Sequence, residues 1–343
     1  LLIGAGAAAA LTMGALAATV GGGLLGYFEA RTPEDQSALE NGIYQLDRSE
    51  SWNGWTVALT DCVGDNANSY VWVEVTAPAG TDLGDAAALG YDSGYFDLDA
   101  KIKPEREDPA GSWGWQVLEV EDPEPGDNRL SFCFEMDVYS AQQLAGGQWD
   151  FSIGPLRDVW FTDPGTDQAV RYEDTQLTQA VRDHVWQFSD VRLDIPDQSV
   201  QCAPQIEVPY LDGTATLTRL EITPLTTTVR IEGGACYDHH GRAAAKQAGL
   251  TPPSPTDPAQ WTECWRELET VLVLKDGTTL EPPETGGGSS CQDGVSSDTY
   301  QGAPYVEKKF RYAEQRYDVA PQVIDPRQMD YILVCGVRVE LPD

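Results

Sequence analysis

Beyond residue 40, apolar and polar side chains mostly alternate with a period of two, the repeat of a strand with one buried and one wet face. Trp55, Val57 and Leu59 fall on one side, Thr56, Ala58 and Thr60 on the other. Tyr70-Val71-Trp72-Val73-Glu74-Val75 reads as the next strand, with Asp65-Asn66-Ala67-Asn68 as the turn between them. From Arg129 to Tyr139, Leu130, Phe132, Phe134, Met136 and Val138 alternate with Ser131, Cys133, Glu135 and Asp137, which places the second set on the wet face. Trp149 to Ile153 and Trp186 to Leu193 read as further strands. The stretch from Pro196 to Pro209 carries three Pro residues and reads as a linker. Alternation resumes with Ala215, Leu217, Arg219 and Glu221 against Thr216, Thr218, Leu220 and Ile222, and again from Thr228 to Glu232. Residues 233–262 form an irregular insertion rich in Gly and Pro. Within it Asp257-Pro258, a cap followed by Pro at the first helical position, opens a short helix to about Leu268. Val271 to Leu274, the turn Lys275-Asp276-Gly277-Thr278, Val306 to Tyr312 and Tyr331 to Leu341 complete the strand set. Many short strands at roughly 8–12-residue spacing, with little helix, predict an all-β protein of two tandem β-sandwich domains, 40–203 and 204–343.

One segment breaks the pattern. Leu1 to Phe28 holds no charged side chain, and all 55 acidic and 22 basic residues lie beyond it. A run of this length exceeds the ~20 residues a helix needs to cross the ~30 Å hydrocarbon core. Residues 1–28 are therefore read as one transmembrane helix and 29–39 as a juxtamembrane linker. Small residues recur four apart at Ala10/Gly14 and Gly22/Gly26, a spacing that suits close helix approach but also follows from abundant Ala and Gly. Tyr27 and Phe28 close the run, where rings suit the lipid–water interface. The next acids, Glu29, Glu34, Asp35 and Glu40, with only Arg31 opposed, fit the extracytoplasmic side. Two other readings fit less well. Ala15-Leu16-Ala17 matches a small-x-small cleavage site, but no basic n-region stands before it. Gly4-Ala5-Gly6-Ala7-Ala8-Ala9 matches a relaxed dinucleotide fingerprint with Glu29 as the ribose-binding acid. Gly21-Gly22-Gly23 interrupts that unit, and nothing downstream alternates strand and helix.

Composition narrows the function. A net charge of −33 excludes a protein that holds nucleic acid by neutralising phosphates, and disfavours docking on anionic lipid. The seven Cys include no C-x-x-C pair, so a zinc ribbon is not indicated, and their spacing does not give a disulfide pairing. No H-E-x-x-H, P-loop, G-x-S-x-G or EF-hand pattern is present. Cys236-x-x-His239-His240, with Cys264 and Cys291 further on, is the one metal-like cluster; zinc needs about four N or S ligands in tetrahedral array, and a loop with incidental His is the preferred reading. Asp61 and Asp65 are the loop acids with calcium-ligand chemistry. Asp97/Asp99 and Glu119/Glu121 lie two apart on strands and share a solvated face rather than a cleft. Trp113-Gly114-Trp115 displays rings for sugar stacking or fills a sandwich core, and core is the expectation. No catalytic residue, cofactor site or metal ligand is assigned, and the chain is read as non-catalytic.

Several of these signatures occur together in a known family. Asn53-Gly54-Trp55-Thr56-Val57, Asp61-Cys62-Val63-Gly64-Asp65 and Tyr70-Val71-Trp72-Val73-Glu74-Val75-Thr76-Ala77-Pro78 resemble the extracytoplasmic part of the DUF4179 family, and Gly147-Gln148-Trp149-Asp150-Phe151 and Trp186-Gln187-Phe188 are similar to its later strands. Leu220-Glu221-Ile222-Thr223-Pro224-Leu225, Lys275-Asp276-Gly277-Thr278 and Ile324-Asp325-Pro326 with Asp330-Tyr331-Ile332-Leu333-Val334-Cys335-Gly336-Val337 look like the immunoglobulin-like module that comes next in such proteins. These are strand and turn signatures, not a catalytic fingerprint. The resemblance implies tandem immunoglobulin-like sandwiches on a single-pass bacterial membrane protein, with residues 29–343 extracytoplasmic, often described as anti-sigma-factor-like. It also implies a cytoplasmic segment that holds or regulates a sigma factor; these residues carry none of it. The partners expected are a sigma factor through that segment or an envelope protein, with no nucleic acid. The competing function is a cell-surface adhesin or carbohydrate-binding sandwich protein, and an envelope hydrolase is the third.

Overall fold

The computed structural model describes residues 23–81, 97–104, 112–120, 127–139, 144–157, 160–163, 168–171, 183–211, 213–233, 236, 268–280, 289–293, 305–312 and 322–342. Its elements, in chain order, begin with helix α1 (Gly23–Tyr27), strand β1 (Glu29–Ala30) and helix α2 (Pro33–Gly42). Next come β2 (Tyr44–Trp52), β3 (Trp55–Gly64), β4 (Asn68–Thr76), β5 (Asp97–Pro104), β6 (Ser112–Glu119), β7 (Arg129–Tyr139), β8 (Gln148–Arg157), β9 (Trp160–Asp163), β10 (Gln168–Arg171) and β11 (Trp186–Arg192). The remaining strands are β12 (Val200–Cys202), β13 (Ile206–Tyr210), β14 (Gly213–Ile222), β15 (Thr226–Glu232), β16 (Thr270–Leu274), β17 (Thr279–Leu280), β18 (Ser289–Asp293), β19 (Tyr305–Arg311), β20 (Gln322–Val323), β21 (Met329–Val334) and β22 (Val337–Glu340). The chain is all-β, and among the described residues every strand pair but β1–β20 is antiparallel. Its described residues divide into two compact units: 23–28 with those of 40–197, and 29–39 with those of 198–342.

In the first unit a five-stranded sheet, β2-β3-β4-β7-β6, and a three-stranded sheet, β11-β8-β5, share one core. Trp55, Val57 and Leu59 of β3, Val71, Val73 and Val75 of β4 and Phe132, Phe134 and Met136 of β7 meet Ile102, Trp149, Phe151, Ile153 and Trp186 of the smaller sheet. Phe134 and Phe151 lie 6.4 Å apart across it. The Asp65 turn forms as its sequence dictates: one carboxylate oxygen accepts the N–H groups of Ala67 and Asn68, both at 2.7 Å. The expected wet face of β7 is not wet at its middle. Cys133 and Glu135 are buried, as are Tyr70 and Trp72 beside them on β4. The reason is α1, whose residues pack on this outer face.

The second unit pairs a six-stranded sheet, β12-β14-β15-β19-β18 with β13 also on β14, with a four-stranded sheet, β17-β16-β21-β22. Leu217, Leu220, Ile222, Val229, Ile231, Val306 and Phe310 meet Leu272, Ile332, Val334 and Val339 in its core. The stretch expected as a linker forms β12 and β13 at the sheet margin. Pro209 sits in β13, whose only partner strand among the described residues is β14, and an edge strand is where a residue without an N–H is tolerated. In β14 the expected parity fails. Leu217 pairs with Ile231 and Arg219 with the adjacent Arg230, so one extra residue is inserted at Thr218. This bulge rotates Leu220 and Ile222 onto the face already held by Ala215 and Leu217, and all four are buried together. The insertion 233–262, apart from residues 233 and 236, lies outside the described residues, as does the helix expected up to Leu268.

Candidate functional site

The first candidate is the segment at the end of the uncharged run. Leu24 is fully buried and Phe28 nearly so. Phe28 packs edge-on to Tyr70 at 4.9 Å and Tyr27 to Trp72 at 6.0 Å. The two rings expected at a lipid interface therefore cover a protein sheet. Residues 29–39, expected as a juxtamembrane linker, are folded into the second unit: Glu29 pairs with Gln322 and Ala30 with Val323. Helix α2 opens with a reciprocal cap in which Thr32 N–H donates to Asp35 Oδ2 and Asp35 N–H to Thr32 Oγ1, both at 3.1 Å. Asp35 Oδ1 also accepts the Asp325 N–H at 2.7 Å, which fastens the helix start to the chain leading into β21. No helix among the described residues is long and apolar enough to cross a membrane. Residues 1–22, the remainder of the expected span, lie outside them.

Beneath α1 lies a cluster of acids. A bulge in β3, where Leu59 pairs with Val73 and Cys62 with Val71, turns Cys62 into the core and Asp61 away from it. Asp61 accepts the Leu24 N–H and the Thr60 hydroxyl, the latter at 2.5 Å. Burial pushes its carboxyl above the usual range, opposed by these two hydrogen bonds, and Asp47 adds to the rise. Glu74 is raised in the same way, first by burial and next by the charge of Asp61; Arg129 and the Trp72 indole act against it. Glu135 is deeper, accepting Tyr70 Oη at 2.9 Å and the Gln116 amide.

The second candidate is the β2–β3 hairpin tip. Asn53 and Gly54 adopt φ of 50° and 83°, the pair of positive values that a tight two-residue hairpin needs. Alternate side chains of β2 reach to β11: Arg48 donates to Ser189 O at 3.0 Å, and Glu50 Oε2 accepts the Gln187 N–H at 2.7 Å. Third in that row, Trp52 stacks flat on His184, with ring centres 4.4 Å apart and planes 8° from parallel. His184 in turn meets the buried Trp186 edge-on at 4.9 Å. Gly154, at φ +101°, lets the His184 carbonyl come close; a Cβ there would lie 2.7 Å from that oxygen. Reasoning from the sequence does not reach this tip. The signal for it is a Trp directly before Asn-Gly whose neighbours two and four positions back, Glu50 and Arg48, are charged.

The residues singled out in the sequence are dispersed. Trp113 packs edge-on to Trp149 at 6.1 Å and Trp115 to Phe134 at 6.2 Å, both against the core of the first unit. Asp65 is committed to its turn and Asp61 to α1. Cys236 is fully buried and donates to Ile231 O at 3.6 Å; burial pushes its thiol up to about 11, and that of Cys335 likewise to about 11. Cys291 stands opposite Lys308 in the β18–β19 ladder. His239, His240 and Cys264 lie outside the described residues, among which no cluster of three His, Cys, Asp or Glu could hold a metal ion. Cys62, Cys133, Cys202, Cys236 and Cys335 are unbridged. Asp97 and Asp99 lie on β5 and Glu119 ends β6, while Glu121 and Gly4 to Ala9 lie outside the described residues.

No family model matches the chain, and no curated protein matches it. Among solved structures, the crystal structure of the conserved domain protein from Bacillus anthracis aligns over 90% of this chain and 81% of its own, at 11% identity and a TM-score of 0.40. A likeness at that level transfers neither fold nor function.

Proposed function

We propose that this chain is the extracytoplasmic, non-catalytic contact module of a single-pass membrane protein, built of two immunoglobulin-like sandwiches and serving an anti-sigma-factor-like regulator of the DUF4179 type. The uncharged N-terminal run, the acidity of the residues beyond it and the quoted strand signatures support the reading. The observation that carries it is the path of residues 23–39. With Gly23 to Phe28 given to the first unit, residues 1–22 still meet the ~20 needed for a span. The chain leaving that span would then be held by the first unit through α1 and by the second through β1 and α2, with no free linker. Ligand or partner binding on either unit would act on the tether directly, which is what a transmembrane signal needs.

Membrane fractionation of the full-length protein tests the tether, and labelling of cysteines engineered at exposed sites such as Ser51 and Arg338 with a membrane-impermeant reagent tests sidedness. The expected result is retention in the membrane after alkaline extraction, with labelling of intact cells. Release by alkali, or labelling only after lysis, would end the proposal. Failure of the full-length protein to recover any sigma factor in a pull-down would remove its regulatory half.

A further inference from the structure

We propose that the outward face of Trp52 is a contact site for the pyranose ring of a neutral carbohydrate, with His184 as the residue that positions it. Among the described residues Trp52 is the only ring side chain left exposed, at 41%. Its inner face is taken by the flat stack on His184, so the other face is the one solvent reaches. The ring is not free to turn. His184 is itself braced edge-on by fully buried Trp186, and its backbone is seated against Gly154. His184 Nε2 is shielded from solvent and finds no hydrogen-bond partner among the described residues, so ring contacts are what hold the imidazole. A ring fixed before binding loses little rotamer entropy when a ligand lands on it.

The surroundings select the ligand. Asn53 is exposed at the hairpin tip and Asp183 beside His184. A protein-contact hot spot gathers several apolar and aromatic groups in a desolvated centre. Here a single aromatic plane stands among amide and carboxylate groups. A pyranose matches that pattern: one face of C–H groups for the ring, and a rim of hydroxyls for the polar groups around it. The net charge of −33 and the local Glu50 and Asp183 oppose phosphate-bearing ligands, including nucleotides that would otherwise stack on indole. The site stands whether or not the chain is tethered to a membrane.

The test is binding of the full-length protein to an array of neutral oligosaccharides that includes cellotetraose and chitotetraose, with choline and a basic peptide as cationic probes, followed by calorimetry on the best ligand. Retention of a neutral oligosaccharide is expected. Trp52→Ala should weaken it by about tenfold or more, and Trp52→Phe should recover part of the loss. His184→Ala should weaken binding and His184→Phe, which keeps a flat partner, should restore it; a purely structural His184 would not be rescued in affinity. Trp113→Ala, checked for folding by circular dichroism, should leave affinity unchanged. The proposal is overturned if the array retains nothing, if Trp52→Ala binds as well as the parent, or if only the cationic probes bind through Trp52.

Discussion

Leu24→Ala should release the N-terminal strap while leaving the sandwiches folded. Burial of Leu24 and Phe28 contributes about 2 kcal/mol each. The Phe28–Tyr70 and Tyr27–Trp72 contacts add about 1 kcal/mol each, and the Leu24 N–H to the Asp61 carboxylate about 1.5 kcal/mol. Ordering the six residues from Gly23 to Phe28 costs about 1 kcal/mol per residue, which leaves docking favourable by only about 1.5 kcal/mol. Truncating a buried Leu to Ala removes about 2.5 kcal/mol. The docked population should then fall from roughly nine-tenths to under a fifth, since each 1.4 kcal/mol is tenfold. Hydrogen exchange read by mass spectrometry on the peptide covering residues 23–30 reports this directly, because the Phe28 amide donates to Leu24 O at 3.3 Å only while α1 exists. Chymotryptic cleavage at Tyr27 and Phe28 should accelerate in parallel. Equal protection and equal cleavage in parent and variant, with the variant folded, would refute both the balance and the strap.

Other consequences are simpler to check. Asp61 has a folded-state carboxyl raised above the unfolded value of 3.8, so its favourable contribution is present below that pH and is lost as pH rises through the raised value. Asp61→Asn, which keeps an acceptor for Leu24 and drops the charge, should therefore be more stable than the parent in urea at pH 7, and the gap should close toward pH 4; a constant gap, or a less stable variant, contradicts this. Tyr70→Phe takes the phenol from buried Glu135 and should cost about 1.5–3 kcal/mol by urea titration. Asp35→Ala breaks the α2 cap and the bond to Asp325 and should cost about 1–2 kcal/mol, with exchange rising first in residues 33–42; protection there unchanged would exclude the cap as its anchor.

Legibility in the sequence depends on how local the cause is. The β7 strand from Arg129 to Tyr139, the Asp65 turn and the Lys275-Asp276-Gly277-Thr278 turn are set by alternation and by side chains bonding the backbone two or three residues away, and each forms as its residues predict. What alternation cannot give is cover. It puts Cys133 and Glu135 in water because nothing in β7 says that α1, more than a hundred positions before it in the chain, lies over the same sheet. The apolar character of Leu24, Tyr27 and Phe28 is visible, but hydropathy does not distinguish burial against a sheet from burial in lipid. Trp52 escapes for the converse reason: its ring reads as core, but it sits at the hairpin tip, where His184, from the far side of the unit's sequence, covers one face and leaves the other exposed.

The bulges supply the remaining logic. In β3 the inward positions run Trp55, Val57, Leu59 and then Cys62, and in β14 Ala215, Leu217 and then Leu220. Each series slips by one, and each slip is the residue that the ladder leaves unmatched. A strict period of two would have carried Asp61 into the first core and Arg219 into the second, where an unpaired charge is expensive. The slip avoids that and sends the charged group outward. In β14 the displaced Arg219 joins Glu221 and Glu307 on the sheet's outer face. In β3 the displaced Asp61 meets the Leu24 N–H and becomes the polar anchor of the strap. A phase slip in an otherwise regular strand thus marks, in the sequence itself, where a sheet turns a charge toward something outside its core, and in β3 that something is the segment that leaves the uncharged run.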